Sequence, residues 1–525
     1  MSAARAHRRE KVIVIGAGPG GLATAMLLAA QGLQVKVVER RDTVGGRTST
    51  FEHDGFSFDM GPTFFLYPQI LREIFSTCGL RLEDEIDLIR LDPQYHLVFQ
   101  QGGELLATPD TRRMQEAIAK ISPEDARRFP DFMNDNREKF ARFAPILQRP
   151  FSSILDCLSP EMINALPSLR PWASVDSDLG RHFDDERVRL AFSFQSKYLG
   201  MSPFNCPSLF TILSYLEYDY GVFHPRGGCG AVSRAMARAA ERLGAEVQLD
   251  TPVEEILFDG RRAAGIRTAE GTEQADAVVI NADFGDAITR LIPENKRRKY
   301  TDRKVARKRY SCSTFMMYLG IDGRYDDLEH HTIFLAEDYR KNLQQIERGF
   351  EVPTNPSVYV QNASVTDDSL APAGQSTLYV LAPVAHQTEH IDWEQHTQPF
   401  RRRVLDQLAH FGLDDLESRI RYEKIMTPTH WQQDMRVYKG ATFNLAHNLT
   451  QMLHLRPNNR FEEFDGVYLT GGGTHPGSGL PVIYESARIS SRLLLEDMGI
   501  AVDWPAPSPT NDVEPLRMPE LTAAG

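Results

Sequence analysis

Residues 11–47 read KVIVIGAGPGGLATAMLLAAQGLQVKVVERRDTVGGR. The apolar run at 12–15 has the composition of a parallel strand buried on both faces. Gly16, Gly18 and Gly21 then supply G-x-G-x-x-G at the mouth of a helix expected over 22–31. The first glycine permits a tight turn, the second lets backbone approach a diphosphate, and the third lets helix and strand pack closely. Free N–H groups at the positive end of that helix would hold the diphosphate. A second strand, at 35–38, ends in Glu39, at about the 20-residue spacing where an acidic side chain meets a ribose hydroxyl. The stretch predicts a dinucleotide-binding βαβ unit. The competing reading is a glycine turn in a βαβ unit that holds no ligand.

Arg40 and Arg41 follow Glu39 and could be read as holding the 2′-phosphate of NADP. The continuation points elsewhere. In Gly45-Gly46-Arg47, Gly46 can again let backbone approach phosphate and Arg47 can neutralise it. Asp54-Gly55 and Asp59-Met60-Gly61-Pro62-Thr63 follow, a turn at which the chain can pass close to a flat ring. The extended pattern resembles the flavoprotein amine-oxidase/desaturase superfamily. That resemblance implies FAD as the cofactor, with Arg40 among the residues that meet it.

A chain of 525 residues can bury a substantial core and form two or three lobes. Its formal charge of −12 argues against nucleic acid as a partner. The five cysteines are scattered, and no C-x-x-C pair suggests zinc or a redox dithiol, so no metal is expected. A reducing cytoplasm is the simplest setting. The start, MSAARAHRREK, is basic and leads straight into the first strand, which is too short for a signal segment. The uncharged run 198–216 approaches the length of a membrane span, but Pro203, Asn205 and Pro207 break it.

The fold expected is α/β. A Rossmann-like lobe is assembled from discontinuous segments, 9–79, 221–283 and 461–500. The second segment carries Arg226-Gly227-Gly228, a helix at 231–243 and strands at 246–249, 253–258, 265–268 and 277–280. The third carries a strand at 467–470, Gly471-Gly472-Gly473 and a helix at 481–497 with proline in its first turn. Residues 80–220 form a mostly helical insertion, a lid or membrane contact. Residues 284–460 form a mixed-sheet substrate lobe, with strands at 314–319, 357–361 and 377–382 and a helix at 393–411. Residues 501–525, rich in proline, form a flexible tail. No internal repeat is visible.

The segment Gly471-Gly472-Gly473-Thr474-His475-Pro476-Gly477-Ser478-Gly479-Leu480-Pro481 resembles the C-terminal signature of bacterial-type phytoene desaturases, carotenoid desaturases whose relatives act on C30 chains. Similar matches run through His224-Pro225-Arg226-Gly227-Gly228, residues 275–283, Asp367-Asp368-Ser369-Leu370-Ala371-Pro372 and Arg456-Pro457-Asn458, covering nearly all of 10–500. The resemblance implies that Gly16, Gly18, Gly21, Glu39 and Arg47 bind the ADP part of FAD, and that Gly61 and Pro62 turn near the isoalloxazine. It implies further that Val253 meets the adenine through its backbone, and that Gly472 and Gly473 turn at the ribityl-pyrophosphate. Leu480, Pro481 and Val482 would approach the pyrimidine edge. Residues 482–488 are more polar than the usual phytoene enzymes have, which leaves C30 and C40 substrates both open.

The implied activity is desaturation of a carotenoid precursor, phytoene or C30 diapophytoene. The substrate has no carbonyl to acidify a C–H bond, so hydride loss from an allylic carbon to flavin leads and proton loss follows. Oxygen or a membrane quinone would take the electrons. The mechanism asks for an apolar tunnel whose aromatic faces stabilise positive charge, with Phe64, Phe65, Phe192, Phe194, Tyr198, Phe204 and Phe210 as candidates against plain core packing. His475 is the acid–base candidate; the alternative is a structural hydrogen bond in its turn. His330-His331 looks like a metal or proton-relay pair, but adjacent side chains on a strand point to opposite faces, which argues against joint ligation. Arg149 reads as a loop anchor. An apolar substrate also calls for peripheral contact with a membrane, on its inner face, through Pro150-Phe151, Leu155, Leu158, Met162, Ile163, Leu166 and Trp172. The competing functions on the same fold are a carotenoid oxygenase, isomerase or saturase, or a lipid-binding escort without catalysis.

Overall fold

The structure, a computed structural model, describes residues 10–502 and residue 504. The basic start and nearly all of the tail expected over 501–525 lie outside the described residues.

A five-stranded parallel sheet carries the glycine turns. Its order is Glu246–Gln248, Gln34–Val38, Lys11–Ile15, Ala277–Ile280, Val467–Leu469. Both faces are covered, which is why these strands read as apolar runs without alternation. Val12 and Val14 face one core, packed with the helices Pro19–Ala30, Cys229–Arg242 and Leu480–Asp497. Ile13 and Ile15 face the other, against a three-stranded antiparallel sheet of Val253–Asp259, Arg262–Thr268 and Gly271–Gln274. The first helix begins three residues before the expected 22, because Gly18 caps it and Pro19, with its fixed φ, takes its first turn.

A seven-stranded mixed sheet forms a second layer, in the order Ile420–Met426, Ser313–Ile321, Ser376–Val384, Val358–Asn362, His331–Leu335, Tyr95–Phe99, Glu104–Ala107. Only the His331–Leu335 and Tyr95–Phe99 pair runs parallel. The helix Trp393–His410 backs it through Trp393, Phe400, Val404 and Leu408.

The segment 80–220 departs from the mostly helical expectation at its start. Tyr95–Phe99 and Glu104–Ala107 are strands of the mixed sheet, and Leu88–Arg90 pairs with Val222–Pro225. Tyr95, Leu97 and Phe99 are buried while His96 and Val98 are half-buried, the period of a strand and not of a helix. The rest is helical, led by Pro123–Leu147. No helix among the described residues is long and apolar enough to cross a membrane. The 198–216 run is instead a set of short turns leading into the helix Ile212–Tyr220, with Leu199, Leu209, Ile212 and Tyr215 buried.

Candidate active site

One continuous cavity runs from the first glycine turn into the helical segment, with a volume of about 3370 Å³ counting its open mouths. Its polar end is built by turns at the carboxyl ends of the parallel strands, where ligands bind on open α/β sheets. Gly16, Gly18, Glu39, Arg40, Gly46, Arg47, Gly61, Pro62, Val253, Gly472, Leu480, Pro481 and Val482 all line it. Residues chosen from positions as far apart as 16 and 482 thus meet in one wall.

Gly21 and Gly473 do not line the cavity. A Cβ on Gly21 would stand 2.1 Å from the Gly16 carbonyl oxygen, and one on Gly473 would stand 2.5 Å from Cβ of Phe284. Both glycines permit close packing behind the wall. Gly16 has φ +100°, and a Cβ there would meet the Asn281 carbonyl at 2.4 Å. Asn281 also donates from Nδ2 to the Gly16 carbonyl at 3.0 Å, locking the turn to the neighbouring strand end.

Glu39 accepts from the Ala17 N–H at 2.8 Å and from the Arg41 N–H at 3.0 Å, so its carboxylate is aimed into the glycine turn. Neither arginine after it is free for a 2′-phosphate. Arg41 donates to the Gly46 carbonyl and to Ser49 Oγ, and Arg40 to the Asp434 carbonyl. Arg47, partly buried in the wall, donates to the Thr442 carbonyl at 2.6 Å. Burial pulls its guanidinium below the ordinary value, and Asp283 opposes that. Asp283, which also lines the cavity, caps the helix Phe284–Leu291 and accepts from Asn444 Nδ2 at 2.7 Å. Burial pushes its carboxyl up to about 6. The wall opposite is held by Tyr379, which donates to the Gly61 carbonyl at 2.7 Å.

Beyond this end the lining becomes apolar and aromatic, through Phe64, Phe140, Phe143, Phe194, Tyr198 and Phe210. Four of the expected aromatics are therefore at the cavity. Three are not. Phe65 is buried in the core around the parallel sheet. Phe192 stacks on Phe183 with ring centroids 4.9 Å apart. Phe204 lies under the Arg340 guanidinium, 3.6 Å from its centroid. Phe140 and Phe143 were missed, although their three-residue spacing on the inner face of a long helix was a visible signal. Lys197 and Glu485 interrupt the apolar lining. Burial lowers the Lys197 amine and pushes the Glu485 carboxyl up to about 7.

His475 does not line the cavity, although Pro476 beside it does. Its ring is buried 5.0 Å from that of Phe151, and burial pushes it down to about 3. The histidine at the cavity in this region is His447, whose Nε2 accepts from the Ser478 N–H at 2.9 Å. His330 and His331 are not on opposite faces: their rings lie 4.4 Å apart, because His330 precedes the strand and escapes its pleat. Among the described residues no group of three or more His, Cys, Asp or Glu is arranged to hold a metal. Arg149 pairs with Glu161 at 3.2 Å on the surface.

On that surface Ile154, Leu155, Leu158, Ile163, Leu166 and Trp172 are exposed, Leu155 by 71% and Trp172 by 75%. Phe151 and Met162, expected with them, are buried instead, since they form the inner side of the same segment.

The sequence profile described as flavin containing amine oxidoreductase matches residues 19–495. A 4,4′-diapophytoene desaturase (4,4′-diapolycopene-forming) of Methylomonas sp is 45% identical over 487 residues, 92% of this chain and 95% of that protein. An all-trans-zeta-carotene desaturase of Myxococcus xanthus is 39% identical, over 96% of this chain and 97% of its own. Among solved structures, an oxidoreductase from Methanosarcina mazei shares the fold, with a TM-score of 0.63 at 17% identity, covering 93% of this chain and all of its own.

Proposed function

The chain belongs to the flavin-containing amine oxidoreductase family, and from that membership we propose that it is an FAD-dependent desaturase of an acyclic carotenoid precursor, phytoene or its C30 diapophytoene analogue. The observation that carries this reading is the continuity of one cavity from a glycine-lined polar end to an aromatic apolar arm. The desaturations named for both relatives favour desaturation over oxygenation, isomerisation, saturation or carriage. The 45% identity to an enzyme of diapophytoene favours the C30 chain.

The polar end suits FAD. Gly16 and Gly18 leave backbone bare where a diphosphate would lie, and Arg47 brings a cation to the same wall whose hydrogen bond goes to a carbonyl and not to a carboxylate. Glu39 is placed for the ribose. Gly46, Gly472 and the helix start at Leu480, Pro481 and Val482 continue the cradle, Arg40 and Val253 flank its adenine end, and Gly61 and Pro62 its ring end. Gly21 and Gly473 serve the cofactor through packing. When bound, FAD supplies the acceptor for a hydride taken from an allylic carbon, where the developing positive charge is delocalised. The protein excludes water and orients the chain, and the faces of Phe64 and Tyr198 favour positive charge beside them.

The exposed apolar surface from Ile154 to Trp172 would seat the enzyme on the inner face of a membrane, where its substrate dissolves and where a quinone, or oxygen, could take the electrons. Coexpression with enzymes that make phytoene or diapophytoene, followed by chromatography of the pigments, tests the function. The expected result is a more conjugated product from at least one precursor, with the C30 precursor preferred. Recovery of both precursors unchanged from cells holding flavin-loaded protein would overturn it.

A further inference from the structure

Removing hydride from one carbon leaves a proton to be taken from its neighbour, inside a cavity whose apolar arm is interrupted by few ionisable groups, Lys197, His447 and Glu485 among them. Tyr359 lines that cavity beside the Gly61–Thr63 turn. Its hydroxyl lies 2.7 Å from Thr63 Oγ1 and 2.7 Å from His331 Nδ1. His331 has no solvent exposure, and Phe64 of the cavity wall stacks flat on its ring, centroids 4.0 Å apart at 12°. Behind it the ring of His330 lies 4.4 Å away, its Nδ1 on Thr366 Oγ1 and its Nε2 on the Gln361 amide, and that of His224 a further 4.8 Å from His330. His224 Nε2 meets the fully buried Asp367 at 3.2 Å, and Arg226, about half exposed, comes within 3.9 Å of that carboxylate from outside. Three imidazoles in one core cost more to bury than three phenyl rings would. Two of them keep a nitrogen, His331 Nε2 and His224 Nδ1, without a hydrogen-bond partner among the described residues.

We propose that Tyr359 is the catalytic proton acceptor of the desaturation, with His331 as the base behind it. The inference rests on the desaturase reading. With FAD bound to accept the hydride and its electron pair, the neighbouring C–H bond would break and its pair would become the new double bond. The proton joins Tyr359 Oη while the tyrosine's own proton passes to His331 Nδ1, so the tyrosine ends neutral and the imidazole positive.

The electrostatics suit this. Burial and the neighbouring imidazoles push His330 and His331 well below the ordinary histidine value, which keeps both in the proton-accepting form. A weak base is enough, because a C–H bond next to an allylic cation is far more acidic than imidazolium. Burial holds Tyr359 well above the ordinary phenol value, with Asp59 and Cys229 acting in the same direction, so it passes a proton on without resting as phenolate. The hydrogen bonds from His224, Gly227 and Ser369 keep Asp367 well below the usual carboxylate range, despite its burial, so a negative charge stands beyond the imidazoles.

The test uses holoenzyme of wild type, Tyr359→Phe and His331→Ala, each matched for FAD content and circular dichroism. With C30 and C40 precursors in detergent, both variants should lose roughly 100-fold in rate. They should also yield positional isomers, because a proton lost without a placed acceptor leaves from either neighbour. Free imidazole should restore part of the rate of His331→Ala, which a packing role would not allow. N,N-Dimethylfarnesylamine, an isoprenoid chain ending in an ammonium N–H that a phenol oxygen accepts, provides a readout without turnover. Its binding, followed by protein fluorescence, should weaken roughly tenfold in Tyr359→Phe. Variants that match wild type in rate, product and amine binding beside an active wild type would overturn the relay alone. A flavin-loaded wild type that converts no precursor would overturn the desaturase reading beneath it.

Discussion

Arg456 donates from Nη2 to the Gly472 carbonyl at 2.6 Å from a position with no solvent exposure. The same guanidinium reaches the carbonyls of Thr474 at 3.1 Å, Leu445 at 3.2 Å and Gln451 at 3.4 Å. One planar fork thus holds the turn that bears Gly471–Gly473, and burial pulls its pKa down to about 9. A lysine carries the charge but cannot reach several carbonyls in one plane. Arg456→Lys should cost roughly 3 kcal/mol in chemical unfolding, and the purified protein should hold less FAD per chain, read from flavin absorbance.

The glycines should separate by what a Cβ would meet. Gly21→Ala drives a methyl into the Gly16 carbonyl at 2.1 Å and should yield protein without bound flavin. Gly32 has a positive φ of +82° but nothing within 4 Å of its Cβ position. Gly32→Ala should keep its flavin and lose only about 1 kcal/mol, from left-handed strain. Flavin content and unfolding midpoints of the two variants check the contrast.

Burial pushes the Glu485 carboxyl from an ordinary 4.5 up to about 7, against the pull of Arg488. Below about pH 4.5 the group is neutral in folded and unfolded chains alike, so the shift costs nothing. Between pH 4.5 and about 7 the unfolded chain ionises while the folded protein holds the group neutral, so stability falls across that window and levels off above it. Glu485→Gln removes that cost while Arg488 keeps Glu73 at 2.6 Å. The variant should gain on wild type between pH 5 and 8, by roughly 3 kcal/mol at most, as read from unfolding midpoints across that range.

Leu155 and Trp172 stand on the exposed apolar surface, so charge placed there should disturb docking and not folding. Leu155→Glu combined with Trp172→Glu should abolish co-flotation with phospholipid vesicles, with unfolding midpoints within about 0.5 kcal/mol of wild type. Co-flotation equal to wild type would move the membrane contact elsewhere.

Residues 11–47 by themselves predicted the first part of a dinucleotide cradle, because its requirements are local: an apolar strand, glycines where a side chain would collide, a helix start, and an acid at the next strand end. The strands at 277–280 and 467–470 were legible for the same reason, as apolar runs buried on both faces. What only the tertiary structure decided was which aromatic faces the cavity. Phe64 and Phe65 are neighbours in sequence, yet one lines the cavity and the other fills the core, since alternate residues of an extended chain point opposite ways. The same limit misplaced His475, whose turn reaches the cavity through Pro476 while its own ring packs on Phe151. It also hid Tyr359 as the partner of His331, since the two lie 28 residues apart and meet only because Val358–Asn362 and His331–Leu335 pair as antiparallel strands. Local sequence specifies backbone conformation; the meeting of side chains from distant segments follows from how the sheets are ordered and in which register they pair.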